Sequence, residues 1–269
     1  MGWKRFAETH CKQCDVCSRV HRGKPPRQGR LQPLEANGPL DRLHIDLCGP
    51  FPRSDGKAWI MTCLDAYTRF LIAVPLRDKS AVTVAEALFR HVFCVVGLSR
   101  QMISDLGPEF QNDIFRHLCR LLHVNQLRTT SYRPNCNGRI ERVHRSLNSL
   151  MAKVVGETQR DWTQHLAPCV LAYNMSRHEA TSFSPFYLMH GREAICPLDL
   201  LIETPVEAMP PDGNRYAEQL VERLKVAFAA VNRHTTAQVE RMKRRYDANV
   251  RVQEFRLHQL VLYYYPRRF

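Results

Sequence analysis

The chain has 269 residues, of which 44% are hydrophobic and 24% charged, and its formal net charge is +13. That size and apolar share suit one sizeable globular domain with extensions and exclude a disordered chain. The excess of Lys and Arg favours a polyanionic partner, nucleic acid first, and the absence of any apolar run near ~20 residues excludes a helical membrane span.

The ten cysteines are scattered, mostly inside predicted strands and helices, which suits reduced intracellular thiols better than a disulfide framework. Residues 1–37 are basic and contain HCKQCDVC. Cys14 and Cys17 have the C-x2-C spacing of a zinc site, with Cys11, His10 and His21 nearby. No second clean pair follows, so the expectation is half a Zn²⁺ site. Lys24 to Pro33 reads as a linker rich in Pro and Arg.

From residue 38 the pattern turns to strands and helices. Leu43–Leu47 reads as a strand stopped by Gly49-Pro50. Trp59–Leu64 and Phe70–Pro75 read as a hairpin. Lys79–Val96 is predicted as a helix, with Ala81, Ala85, Leu88, Val92 and Val95 on one face and Gly97 at its end. Gln101–Ser104 is a strand that delivers Asp105 into a Gly107-Pro108 turn. Asn112–His123 is a second amphipathic helix and Val124–Arg128 a fifth strand. A loop punctuated by Pro134, Asn135, Asn137 and Gly138 then leads into a helix from Arg139, with Ile140, Val143 and Leu147 at helical spacing. A helix from Trp162 to about Asn174 follows. This order makes a layered α/β domain over residues 38–200. Residues 201–269 differ in character. Pro205, Pro210, Pro211 and Gly213 mark a boundary. Tyr216–Ala248 reads as one long helix that ends in the basic run Arg241–Arg245, and Leu257–Tyr265 reads as a strand.

Three carboxylates bear on chemistry. Asp46 and Asp105 each follow an apolar, strand-like run, and Glu141 sits in the first turn of a helix. On neighbouring strands the two aspartates meet at one sheet edge, and the 35 residues between Asp105 and Glu141 suffice to return the chain there. Carboxylates so gathered repel one another unless a cation neutralises them. Oxygen ligands with open water positions suit Mg²⁺ or Mn²⁺, and two such ions clamp the oxygens of an in-line phosphoryl displacement. Each acid alone also has an ordinary role: Asp46 or Asp105 in a turn, Glu141 at the positive end of a helix dipole.

The segments HIDLCGPFPRSDG, ISDLGPEF, TSYRPNCNGRIERVHRSL and AYNMSRHEATSFSPFYLMHGR together resemble the integrase of Gypsy-type long-terminal-repeat retrotransposons, in order and spacing across residues 3–265. The resemblance implies an RNase H-like core with Asp46, Asp105 and Glu141 as metal-binding catalytic acids. It implies trimming of DNA ends and their transfer into target DNA with Mg²⁺ or Mn²⁺, a homo-oligomer, and action in the nucleus. It assigns Cys14 and Cys17 to a zinc-binding front module and YDANVRVQEFRLHQLVLYYYPRR to the start of a small DNA-binding β-barrel. Arg145, four residues after Glu141, shares its helix face and is a candidate phosphate contact. Asn148 continues that face where the family often has a basic residue. Asn137 and Gly138 are candidate flexible loop contacts with DNA. His144 reads as structural before functional, and Trp162, Tyr173 and Asn174 as packing and local hydrogen bonding. The alternative reading is a catalytically inactive relative that binds DNA or a protein.

Overall fold

The computed structural model describes residues 3–14, 36–105, 107–128, 138–196, 199, 201, 213–248 and 250. The chain divides into two compact units, one of residues 34–236 and one of residues 1–33 with 237–269. The second of these holds a short helix, α1 (Trp3–Gln13), with Trp3 and Phe6 largely exposed. The strand expected at Leu257–Tyr265 lies outside the described residues.

The unit of residues 34–236 is built on five strands: β1 (Arg42–Cys48), β2 (Trp59–Asp65), β3 (Leu71–Leu76), β4 (Gln101–Ser104) and β5 (Asn125–Arg128). Their order across the sheet is β3-β2-β1-β4-β5. The first three form an antiparallel meander, while β1–β4 and β4–β5 are parallel pairs. Each parallel pair needs a crossover, and the helices supply it. The crossover from β3 to β4 contains α2 (Ala81–Leu88), and that from β4 to β5 contains α3 (Asp113–Leu121). Side-chain caps begin both helices: Ser80 Oγ accepts from the Thr83 N–H at 3.3 Å, and Asn112 Oδ1 from the Phe115 N–H at 2.9 Å.

The stretch expected as one regular helix over Lys79–Val96 is instead interrupted. After α2 the chain makes a wider π-helical turn, Phe89–Phe93, and a closing turn, Cys94–Val96, before Gly97 leaves it at φ 91°. The wide turn shifts the buried face: Val92 and Phe93 both point inward, whereas Val95, expected on that face, is 71% exposed.

Two layers of helices cover the sheet. On one face Leu43, Ile45, Met61, Cys63 and Met102 pack with Val84, Leu88, Val92, Phe110 and Phe115. The other face is closed by α4 (Gly138–Met151) and α5 (Trp162–Met175), through Ile60 against Leu147, Met151, Trp162 and Leu166, and Leu64 and Leu71 against Val143. Strand β2 is therefore buried on both sides, which explains why its residues are apolar on both faces apart from Thr62 and the terminal Asp65. Polar pins fix the register of α5. Trp162 Nε1 donates to the Pro52 carbonyl at 2.7 Å, and the buried Asn174 side chain bonds both the N–H and the C=O of Leu71 at 2.8 Å. Those two residues are the packing and hydrogen-bonding groups expected of them. A short helix, α6 (Pro185–His190), and the long helix α7 (Gly213–Asp247) complete the described elements. Leu188 of α6 is buried with Ala227 and Val231 of α7 and with Tyr67, whose hydroxyl donates to the Phe228 carbonyl at 3.2 Å. No helix of the described residues is long and apolar enough to cross a membrane.

Candidate active site

The sheet brings the first two acids together. Strands β1 and β4 pair in parallel with Arg42 opposite Gln101, Leu43 opposite Met102 and His44 opposite Ile103. Carried two residues further, that register sets Asp46 beside Asp105. Asp46 lies inside β1 and not at its end, and Asp105 follows β4 directly. Alternation along β1 puts His44, Asp46 and Cys48 on one face. Thr62, the direct cross-strand partner of Asp46, is on the same face as Ile60 and Leu64, which α4 and α5 cover.

The third acid, Glu141, sits exposed in the first turn of α4. Its charge reaches Asp46. Burial pushes the Asp46 carboxyl up to about 6, the hydrogen bond from the Leu47 N–H works against that rise, and the charges of Asp105, Glu141 and Glu109 add to it. The bond is to Oδ1, at 2.9 Å. Asp46 is thus surrounded more by acceptors than by donors, the condition in which a cation is favoured.

Glu109 is a fourth carboxylate at this edge. Gly107 makes room for it. A Cβ built there would lie 2.8 Å from Glu109 Oε1 and 3.0 Å from Asp105 Oδ1, so those oxygens are at most 5.8 Å (the sum) apart. Asp105 Oδ1 also accepts from the Gly107 N–H at 2.9 Å. Glu109 Oε2 is buried and has no hydrogen-bond partner among the described residues. An orphaned carboxylate oxygen near a second acid has the oxygen chemistry that suits a hard cation such as Mg²⁺ or Mn²⁺. Among the described residues, however, no three His, Cys, Asp or Glu side chains stand close enough to hold a metal ion as placed.

Helix α4 also presents His144 to β1 and β2. His144 Nε2 is 2.7 Å from Thr62 Oγ1, and its Nδ1 is 3.8 Å from Asp46 Oδ2. Burial holds the His144 imidazole below its usual range, partly offset by Glu141. Burial and the nearby Asp46 raise the pKa of the Cys48 thiol, an effect that Asn148 partly offsets. Asn148 is exposed on α4. Arg145 is exposed on the outer side of α4. Gly138 begins the helix, and Asn137 lies outside the described residues.

The expected half zinc site lies only partly within the described residues. Cys14 follows α1, Cys17 lies outside the described residues, and no metal-holding group exists among those described. Cys48, Cys63, Cys94, Cys119, Cys169 and Cys196 are free thiols. Arg241, Lys243, Arg244 and Arg245 are exposed near the end of α7.

Reading the sequence alone missed Glu109, Thr62 and the bond made by His144. For Glu109 a signal existed: it follows Asp105 by four residues across a Gly-Pro turn, close enough to fold back. Thr62 and His144 are 82 residues apart, and no local pattern links them.

Comparison with known proteins agrees with this geometry. Residues 36–134 match the family model described as integrase core domain. The retrovirus-related Pol polyprotein from transposon 412 of Drosophila melanogaster is 30% identical over 226 residues, covering 83% of this chain and 18% of that protein. The transposon Tf2-3 polyprotein of Schizosaccharomyces pombe is 24% identical, over 97% of this chain and 19% of its own length. The chain therefore spans under a fifth of the length of these curated relatives. A chain in the structure of a simian T-cell lymphotropic virus intasome in complex with PP2A regulatory subunit B56 gamma superposes with a TM-score of 0.56 at 16% identity, covering 74% of this chain and 68% of that one. The five-stranded mixed sheet with helices on both faces is the RNase H-like fold. Residues 36–134 are thus similar to the integrase core domain, and the chain is similar to parts of retrotransposon and retroviral polyproteins.

Proposed function

We propose that this chain is the central part of a Gypsy-type retrotransposon integrase, a polynucleotidyl transferase that trims the 3′ ends of element DNA and joins them to target DNA. The observation that carries this reading is the parallel β1–β4 register, which sets Asp46 beside Asp105 at the sheet edge where the charge of Glu141 is also felt. Asp46, Asp105 and Glu141 would hold Mg²⁺ or Mn²⁺. Bound there, such ions lower the pKa of the attacking hydroxyl and neutralise charge on the leaving oxygen.

The protein's own residues supply the rest. Burial of Asp46 removes water from the acid, and the Leu47 N–H fixes the direction of its carboxylate. The Gly107 N–H does the same for Asp105. Arg145, exposed on the helix that bears Glu141, is placed to hold a backbone phosphate independently of base sequence. The basic residues near the end of α7 add further phosphate contacts. Joining two DNA ends at one target requires two active sites, hence a homo-oligomer. Chromosomal DNA as target places the reaction in the nucleus.

A second reading has one observation behind it: the acids of the described residues are not drawn together tightly enough to hold a metal as they stand. It makes the chain a DNA- or protein-binding module without catalysis. A branched DNA that mimics the joined product separates the two, because reversal of joining asks for the core and little else. With Mn²⁺ the protein is expected to resolve the branch, and Asp105→Asn to lose at least a hundredfold of that rate, about 2.7 kcal/mol. If neither resolves it while both bind it equally, the binding-module reading stands.

A further inference from the structure

Helix α4 carries Glu141, and β1 carries Asp46. What fixes one against the other is not the acids themselves, which repel. Apolar packing of Val143 and Leu147 seats the helix on the sheet, and one polar contact on the same side, His144 to Thr62 on β2, joins it beside Asp46. On the helix His144 follows Glu141 by three. The His144 contact therefore lies beside Asp46, with Thr62 directly across the sheet from it.

The hydrogen inventory makes the His144 contact directional. Thr62 Oγ1 donates its one hydrogen to the Asp46 carbonyl at 3.2 Å, and a carbonyl oxygen only accepts. With its hydrogen given to that carbonyl, the hydroxyl accepts from His144, an arrangement that puts the imidazole proton on Nε2. That leaves Nδ1 as a bare lone pair, 3.8 Å from Asp46 Oδ2. Asp46 Oδ1 has the Leu47 N–H. Oδ2 receives no hydrogen bond among the described residues, and its nearest ring nitrogen has no hydrogen to offer.

We propose that His144, oriented by Thr62, is a positioning residue: it ties the Glu141 helix to the Asp46 strand pair through Nε2 while its bare Nδ1 keeps Asp46 Oδ2 free of protein donors and open to a cation. Thr62 is the switch in this arrangement, because its hydroxyl decides which ring nitrogen holds the proton. The proposal rests on the reading of Asp46, Asp105 and Glu141 as the metal-binding acids.

Two readouts test it on the full chain, neither of them catalysis. Long-range ¹H–¹⁵N spectra of the metal-free protein, assigned by comparison with His144→Gln, report which ring nitrogen of His144 is protonated. Mn²⁺ affinity is followed by the paramagnetic signal of the free ion, with melting temperature measured in parallel. The expected result is the Nε2–H form in the unaltered protein and the Nδ1–H form in Thr62→Val. Mn²⁺ affinity should fall about tenfold in Thr62→Val and in His144→Asn. His144→Gln, whose amide nitrogen occupies the place of Nε2, should keep affinity within about twofold. A merely structural His144 would lower the melting temperature of these variants but leave the folded proteins with unaltered Mn²⁺ affinity, and that result overturns the proposal. So does an Nδ1–H imidazole in the unaltered chain. If the unaltered chain binds no Mn²⁺ at all, the metal reading fails; an Nε2–H form would then support the tie alone, and the open cation position would be withdrawn.

Discussion

Two aspartates, the partly buried Asp46 and the fully buried Asp65, lie on adjacent strands of one sheet and have opposite surroundings. Asp65, at the β2–β3 turn, is 1% exposed and fully engaged. Its Oδ2 accepts from the Thr68 N–H at 2.8 Å and the Thr68 hydroxyl at 2.7 Å, and its Oδ1 from the Leu40 N–H at 3.0 Å. Burial raises its pKa; those donors, and the charge of Arg69, pull the other way. Asp46 has one donor, the Leu47 N–H, and three carboxylates as neighbours. Burial is common to both and says little about role. What differs is the sign of the company: donors make Asp65 a structural pin, and acceptors leave Asp46 in need of a cation. A buried carboxylate that the fold has left unpaired is where binding chemistry is to be sought.

The contrast can be broken first at its structural end. Asp65→Ala strands three buried donors, and with each worth about 1 kcal/mol or more the expected loss is about 3–4 kcal/mol, read as a fall in the urea midpoint. A loss under about 1 kcal/mol would mean that water replaces the carboxylate and the pin is dispensable.

At the other end the sign reverses. A carboxyl whose folded pKa is raised from 3.8 to about 6 disfavours its ionised form, so the metal-free fold loses stability as pH climbs between those values. The penalty is absent below the lower value and complete above the upper. Asp46→Asn should therefore stabilise the metal-free protein by about 2–3 kcal/mol at pH 8 and by nothing measurable near pH 3.5. Thermal melts at the two pH values decide it. Equal gains at both would trace the effect to packing instead of charge.

The smallest expected effect is at Gly107. A Cβ there would press on the ends of Glu109 and Asp105, both able to swing aside. Gly107→Ala should change stability by under about 1 kcal/mol. It should nevertheless weaken Mn²⁺ binding severalfold, because the acids move apart. Unchanged binding would remove Glu109 from the site.

Much of the fold was legible from local pattern. Gln101–Ser104 was delimited to the residue, and β1, β2, β3 and β5 to within one residue at each end, because apolar runs bounded by Gly, Pro and Asp are local signals. The helix beginning at Trp162 was found by the same logic. The interruption at Phe89–Phe93 was not, since apolar spacing tolerates one extra residue in a turn. The site was legible as far as three acids and their elements, once motif order supplied the resemblance. Its supporting groups were not. Thr62 reads as an ordinary strand residue and His144 as an ordinary helix residue until the sheet and α4 meet.

The double-sided burial of β2 has a consequence for modularity. The stretch that matches the family model ends at residue 134, before either helix that covers Ile60, Leu64 and Leu71. A piece cut at that border would expose a greasy sheet face with nothing to shield it, inviting sheet-to-sheet association. The smallest autonomous module is therefore longer than the recognisable signature and must include α5 as far as Asn174, whose side chain clasps Leu71. Inheritance of this core as a working part requires the unremarkable helices after the signature as much as the acids within it.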